Sequence, residues 1–411
     1  MQHVEEAAHL HRVRSMLARA PHVRLLHLGR FDERIAAHLD GVAVAGAYGA
    51  RLAIQAMDQS GPGEVFVATV GAIEERDSAR LDRLLAIAEA LPAARAGLLS
   101  ALGWVSAAAL KGITQDLLTS HPSPWRRQAG LLACALHGVN PGSPLAACLR
   151  DADAGLRATA LRVAGRCARV NLVEHCMAAL ADADPRCAFE AARSALLLGD
   201  RTESQAALEA MAADAASPFQ LTALRLALKL MPIARARALL VALAQEPACT
   251  RTLIQGIAIA GDPHYVPWLI ARMQDLKLTR LAGEAFAFIT GLDLAYLDLE
   301  RKPPEGVELG PNDDPNDDNV AMDEDDSLPW PDPEKITAWW QANGSRFASG
   351  TRYFMGAVPA PASCLDALKT GFQRQRIAAA DYLTLLTPGT PLFNTAAPTR
   401  RQQRLLGLPA H

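Results

Sequence analysis

Apolar positions along most of this chain recur at helical spacing. In PWRRQAGLLACAL (124–136), AGLRATALRVAGRCA (154–168), PRCAFEAARSALLLG (185–199) and PFQLTALRLALKL (218–230), Ala and Leu return every three or four residues with Arg between them. That spacing predicts amphipathic helices. The segments align on Pro62, Pro92, Pro124, Ala154, Pro185, Pro218, Pro247 and Lys277, at intervals of 30, 32, 30, 31, 33, 29 and 30 residues. A second, shorter helix follows in the clearer copies, at Leu172–Leu180, Gln205–Ala212 and Val266–Met273. A helical period near 30 residues predicts an all-α solenoid of about eight to ten stacked hairpins, each too small to bury its apolar face alone. The phase places Ala160, Leu161, Ala191, Leu196, Leu224 and Leu228 inward and Arg193 outward.

The punctuation has physical reasons. Gly199–Asp200 and Gly261–Asp262 put a residue tolerant of positive φ at a helix end, followed by a capping carboxylate. Asp184–Pro185 and Ser217–Pro218 put a cap before a proline at the first helical position, where its missing N–H costs nothing. GPGEVF (61–66) has no preceding strand and no following Lys, so it reads as a turn between helices. Four regions result. Residues 1–60 form an N-terminal helical cap, with helices over Glu5–Ala20 and about Arg30–Leu39. Residues 61–292 hold the repeats. Residues 293–333 are an acidic, Pro- and Asp-rich insert, and 334–411 return to helical hairpins and a tail. In the last region, helices are expected at Glu334–Gln341 behind Asp332–Pro333, at Ser363–Lys369 and Phe372–Leu386, and briefly at 399–406.

Composition narrows the function. With 41 basic and 44 acidic residues and a net charge of −3, the chain lacks the basic footprint of a nucleic-acid binder. No apolar stretch is long enough to span a membrane, and MQHVEEAAHLHRVRSML lacks a secretory h-region. The seven cysteines (Cys134, Cys148, Cys167, Cys176, Cys187, Cys249, Cys364) form no C-x-x-C pair and read as core packing in a reducing, cytoplasmic setting.

The densest local chemistry is acidic. Asp313, Asp314, Asp317, Asp318, Asp323, Glu324, Asp325 and Asp326 lie close together, within a Pro-rich stretch that reads as a solvated loop. Such a loop steers a basic partner by long-range attraction. Its oxygen ligands suit Ca²⁺ or Mg²⁺, but the EF-hand pattern is absent, so no metal is expected. Six of the 11 histidines fall before residue 40; His9 and His11, two apart on a helix, do not share a face. Trp339 and Trp340 join the acidic residues as candidate partner-binding positions, with packing of the insert as their alternative role. P-loop, G-x-G-x-x-G, G-x-S-x-G and H-E-x-x-H motifs are all absent, so no catalytic residue and no cofactor is assigned.

GDPHYVPWLIARM (261–273) and DADAGLRATALRVAG (151–165) resemble the short HEAT-like repeat of phycobilin-lyase-type proteins, which implies fold and not function. RFDERIAAHLDGVAVAG (30–46), GEAFAFITGLDL (283–294), MDEDDSLPWPDPEKITAWW (322–340) and GFQRQRIAAADYLTLL (371–386) resemble a proteobacterial HEAT-like family of uncharacterised function, often encoded among type VI secretion genes. The resemblance implies a non-enzymatic protein-binding scaffold, an adaptor or chaperone-like accessory for a secretion effector or spike. The alternatives are a lyase- or isomerase-like small-molecule binder in the solenoid groove, and an immunity protein for a neighbouring toxin.

Overall fold

Capping side chains open several of the helices in the computed structural model, which describes residues 1–57, 61–119, 122–305, 307 and 323–409. Ser123 accepts from Arg126 N ahead of helix Pro124–His137. Asp153 accepts from Leu156 N ahead of Ala154–Arg166, and Asp184 from Arg186 N ahead of Pro185–Leu198. Asp332 accepts from the N–H groups of Glu334 and Lys335 ahead of Pro333–Asn343. These bonds satisfy amides that a helix start leaves without a partner. The fold is all-α, and no β-strand occurs among the described residues.

Three expected boundaries differ. Ser217–Pro218 does not start a helix: Ser217 Oγ accepts from Phe219 N in a turn, and the helix is Gln220–Leu230. GPGEVF is not a turn but the start of helix Pro62–Glu74, with Gly61 as its cap. Gly63 is needed there for packing, because a Cβ at this position would lie 2.3 Å from the carbonyl oxygen of Ala8 in helix Gln2–Leu17. The second N-terminal helix also extends beyond its expected bounds, to Leu25–Val44, and a further helix follows at Gly46–Ala56.

The chain divides into two compact units, Met1–Ala207 with Leu368–His411, and Leu208–Ala367. In the first, helix Ala154–Arg166 packs between Pro124–His137 and Pro185–Leu198. Ala160, Leu161, Ala191 and Leu196 are buried, as the helical phase requires. In the second, Thr250–Ala260 packs between Gln220–Leu230 and Thr279–Thr290, and Leu224 and Leu228 are buried. Arg193 departs from its expected outward place. It is half-buried and bonds Glu190 at 3.2 Å, and Glu190 itself is buried and holds Arg162 as well.

Each unit carries an extended strap across helix C-termini, where carbonyls lack intrahelical partners. In the first unit, Leu392 N donates to Arg166 O at 2.9 Å, and Arg401 donates to the carbonyls of Gly103, Leu136 and Val105 at 3.0, 3.3 and 3.1 Å. Arg14, paired with Asp32, donates to the carbonyls of Ala396 and Ala397 at 3.0 Å each. In the second unit, Tyr353 N donates to Gly261 O at 2.8 Å and Met355 N to Phe288 O at 2.7 Å. Arg352 reaches the carbonyls of Ala260 and Met231. Gly261, at φ 66°, ends its helix and admits the strap: a Cβ there would meet Tyr353 O at 2.1 Å.

Candidate functional site

Of the acidic candidates, Asp313, Asp314, Asp317 and Asp318 lie outside the described residues. Asp323–Asp326 are described, and they do not form the solvated loop expected. Asp325 is 3% exposed and accepts from both Nη atoms of Arg251, at 2.6 and 3.1 Å. Glu324 bonds Arg251 Nε at 2.8 Å while remaining largely exposed. Asp323 pairs with Arg280, whose guanidinium also lies 4.8 Å from the Trp330 ring centre. Burial alone would raise the Asp323 carboxyl, but the amide of Asp325 and the charge of Arg280 hold it below the ordinary value. Asp326 is exposed.

This segment shares a device with two turns of the first unit. Asp151 accepts from Asp153 N at 3.0 Å and from Arg127 at 2.8 Å. Asp182 accepts from Asp184 N at 2.9 Å and from Arg157 at 2.9 Å through both carboxylate oxygens. Asp323 accepts from Asp325 N at 2.8 Å and from Arg280. In each case an Asp-x-Asp turn receives an arginine from the start of an earlier helix. The carboxylates of Asp323 and Asp325 are therefore spent on internal arginines, while within 323–326 Glu324 and Asp326 are exposed.

Trp339 and Trp340 are half-buried on helix Pro333–Asn343. Phe286 meets both edge-on, at 5.9 and 6.3 Å between ring centres, and Trp340 lies 5.5 Å from Phe347, which lies 5.1 Å from Tyr353. Edge-to-face contacts of this kind add to area burial. The cluster fastens the helix after the insert to Thr279–Thr290, and the uncovered part of each indole remains available.

His11 and the cysteines are buried. His11 places Nε2 2.7 Å from Ser100 Oγ, a spacing a nucleophile and base would share. Yet His11 is stacked on Phe66 at 4.1 Å, its Nδ1 is buried without a hydrogen-bond partner, and no third group orients it. Burial, then the charges of Arg14 and Arg12, push its pKa down to about 4. The residue as a whole is 4% exposed. All seven cysteines are buried and unpaired, and burial raises the thiol pKa of Cys176 to about 12. Among the described residues no group of three or more His, Cys, Asp or Glu is placed to hold a metal ion, and no helix is long and apolar enough to cross a membrane.

A cleft of about 380 Å³ in the first unit has Leu81, Leu85, Ile113 and Leu117 among its lining residues and a charged rim. Much of that rim is already engaged: Arg126 holds Asp82, and Arg76 donates to the carbonyls of Ala108 and Lys111. No family model matches the chain, and neither a curated protein nor a solved structure does. Sequence reasoning overlooked Arg251 and Arg280. Their signal was the position they share with Arg127 and Arg157, near the start of a helix.

Proposed function

We propose that this chain is a non-enzymatic protein-binding scaffold, an α-solenoid of short HEAT-like hairpins acting as an adaptor or chaperone-like accessory. The observation that supports this most is the tying of successive hairpins by arginine to Asp-x-Asp turns, Arg127 to Asp151 and Arg157 to Asp182. Such nearest-neighbour ties suit a quasi-one-dimensional stack, in which each repeat is held by the next and the side chains between the ties are left for a partner. The straps add stiffness by occupying helix C-termini. A stiff surface binds with little ordering cost, which favours recognition of another protein over chemistry.

The partner we propose is a type VI secretion effector or spike component, from the resemblance of 30–46, 283–294, 322–340 and 371–386. The test is co-expression of the full chain with each product encoded beside it, followed by size-exclusion chromatography and calorimetry. A stoichiometric complex with an effector or spike protein is expected. A complex confined to one toxin that abolishes its activity would replace the adaptor by an immunity protein. Turnover or tight binding of a small molecule with no protein complex would refute the scaffold.

A further inference from the structure

One group of charges in the first unit lacks an internal answer. Arg162 and Arg166 sit four residues apart, and so on one face, of helix Ala154–Arg166. Glu190 and Arg193 lie on the neighbouring helix Pro185–Leu198. The two helices approach closely at this seam: Ser194 Oγ donates to Leu161 O at 2.7 Å, and a Cβ on Gly165 would lie 2.5 Å from Ser194 Oγ. Glu190 is spent on Arg162, at 2.7 Å to Nε, and on Arg193, at 3.2 Å. Arg166 is left over. Its Nε is buried with no partner, and its side chain forms no hydrogen bond or ion pair among the described residues. Three guanidinium groups therefore share one carboxylate.

We propose that Arg162, Arg166 and Arg193 form a binding site for a small oxyanion, a phosphate or carboxylate group that takes the unused donors of Arg166. Guanidinium forks match such anions in shape and charge. The energetics agree: burial, then repulsion from Arg193 and Arg162, lower the Arg166 pKa to about 10, and an anion seated beside it relieves both. The site is independent of the scaffold reading, since it needs no protein partner.

The experiment titrates the full chain with inorganic phosphate, and separately with acetate, in a chloride buffer of fixed ionic strength. Calorimetry and thermal unfolding follow the binding. Saturable phosphate binding with a rise in Tm is expected, weakened at least tenfold in Arg166→Met and Arg193→Gln and unchanged in Arg186→Gln. Arg186 is an exposed arginine on the same helix as Arg193, engaged with Asp184. Binding of phosphate alone assigns a phosphoryl ligand, and equal binding of acetate assigns a carboxylate. A purely structural Arg166 would lower Tm when replaced, whereas an unfilled anion site predicts that Arg166→Met in the chloride buffer without phosphate or acetate leaves Tm equal or higher. Non-saturating behaviour that matches added chloride, or equal phosphate affinity in Arg166→Met and the unaltered chain, would overturn the proposal. Should the variants not fold, the arginine Nε–H resonances of the intact chain decide: a buried resonance must shift saturably with phosphate, and unchanged resonances refute the site.

Discussion

Asp325→Ala removes the buried half of the Arg251 pair, and its cost follows from the geometry. Breaking a fully buried ion pair from one side costs about 3–5 kcal/mol, because the remaining charge is left without its partner. Arg251, however, keeps about a third of its side chain exposed and retains Glu324 at 2.8 Å. Two charge-assisted bonds are lost, but the stranded guanidinium is partly rehydrated, which brings the expected loss to about 2 kcal/mol. The second unit holds roughly 160 residues, and domains of that size lose about 2–4 °C per kcal/mol, so its midpoint should fall by roughly 4–8 °C. Trp268, Trp330, Trp339 and Trp340 all lie in this unit, so tryptophan fluorescence weights its unfolding. Asp326→Ala, at the exposed carboxylate one residue after the clip, is the control and should change stability by less than about 0.5 kcal/mol. Equal midpoints for the two variants would mean that the Arg251 clip contributes nothing, and that the segment is the solvated loop its composition suggests.

The remaining predictions concern burial and protonation. Leu196→Asp places a carboxylate at a position with no exposure and should cost at least about 4 kcal/mol by urea unfolding; a loss under about 1 kcal/mol would refute the helical phase. Arg193→Asp should cost about 1–2 kcal/mol rather than nothing, because it sets a second carboxylate beside buried Glu190 and removes its cation. His11 is held neutral in the fold at a pKa of about 4, against 6.5 when unfolded, so its contribution is fully present above pH 6.5 and lost as the pH falls toward 4. The loss amounts to about 3 kcal/mol, and His137 is shifted in the same direction by burial. His11→Gln should flatten the stability profile between pH 6.5 and 4, and an unaltered slope would show that His11 is not the group responsible. Burial pushes the Asp323 and Asp262 carboxyls up, but their bonds to amides and arginines leave both below the ordinary value. Their stabilisation is present above that value and lost as the pH falls through the lowered one, so Asp323→Asn should remove part of the acid sensitivity of the second unit below about pH 4.

Which features the sequence disclosed depends on how local their cause is. Helices such as Ala154–Arg166 and Pro185–Leu198 were legible because their period and caps are written within about 15 residues. Gly63 was misread because its reason is Ala8, far back along the chain, and not its own neighbours. The straps at 352–356 and 392–398 carry no periodicity at all; they are specified by carbonyls at the ends of other helices, so neither pattern nor propensity announces them. Arg193 looked outward because helical phase assigns a direction and not a partner, and Glu190 is what draws it in.

The acidic candidate site is the more instructive case, because its signal was present and composition hid it. Within 312–326 the density of Asp suggests one solvated block. Taken instead as a tripeptide, Asp323-Glu324-Asp325 matches Asp151-Ala152-Asp153 and Asp182-Ala183-Asp184. Each turn bends its first carboxylate onto the third residue's amide and takes an arginine from an earlier helix. The arginine stands 24 residues before the turn for Arg127, 25 for Arg157 and 43 for Arg280. A motif whose two halves keep their chemistry but not their spacing escapes any fixed-period reading. Residues 323–325 are thus held by Arg280 and Arg251, which lie far back along the chain, and this stretch leaves Glu324, Asp326 and the uncovered edges of Trp339 and Trp340 exposed.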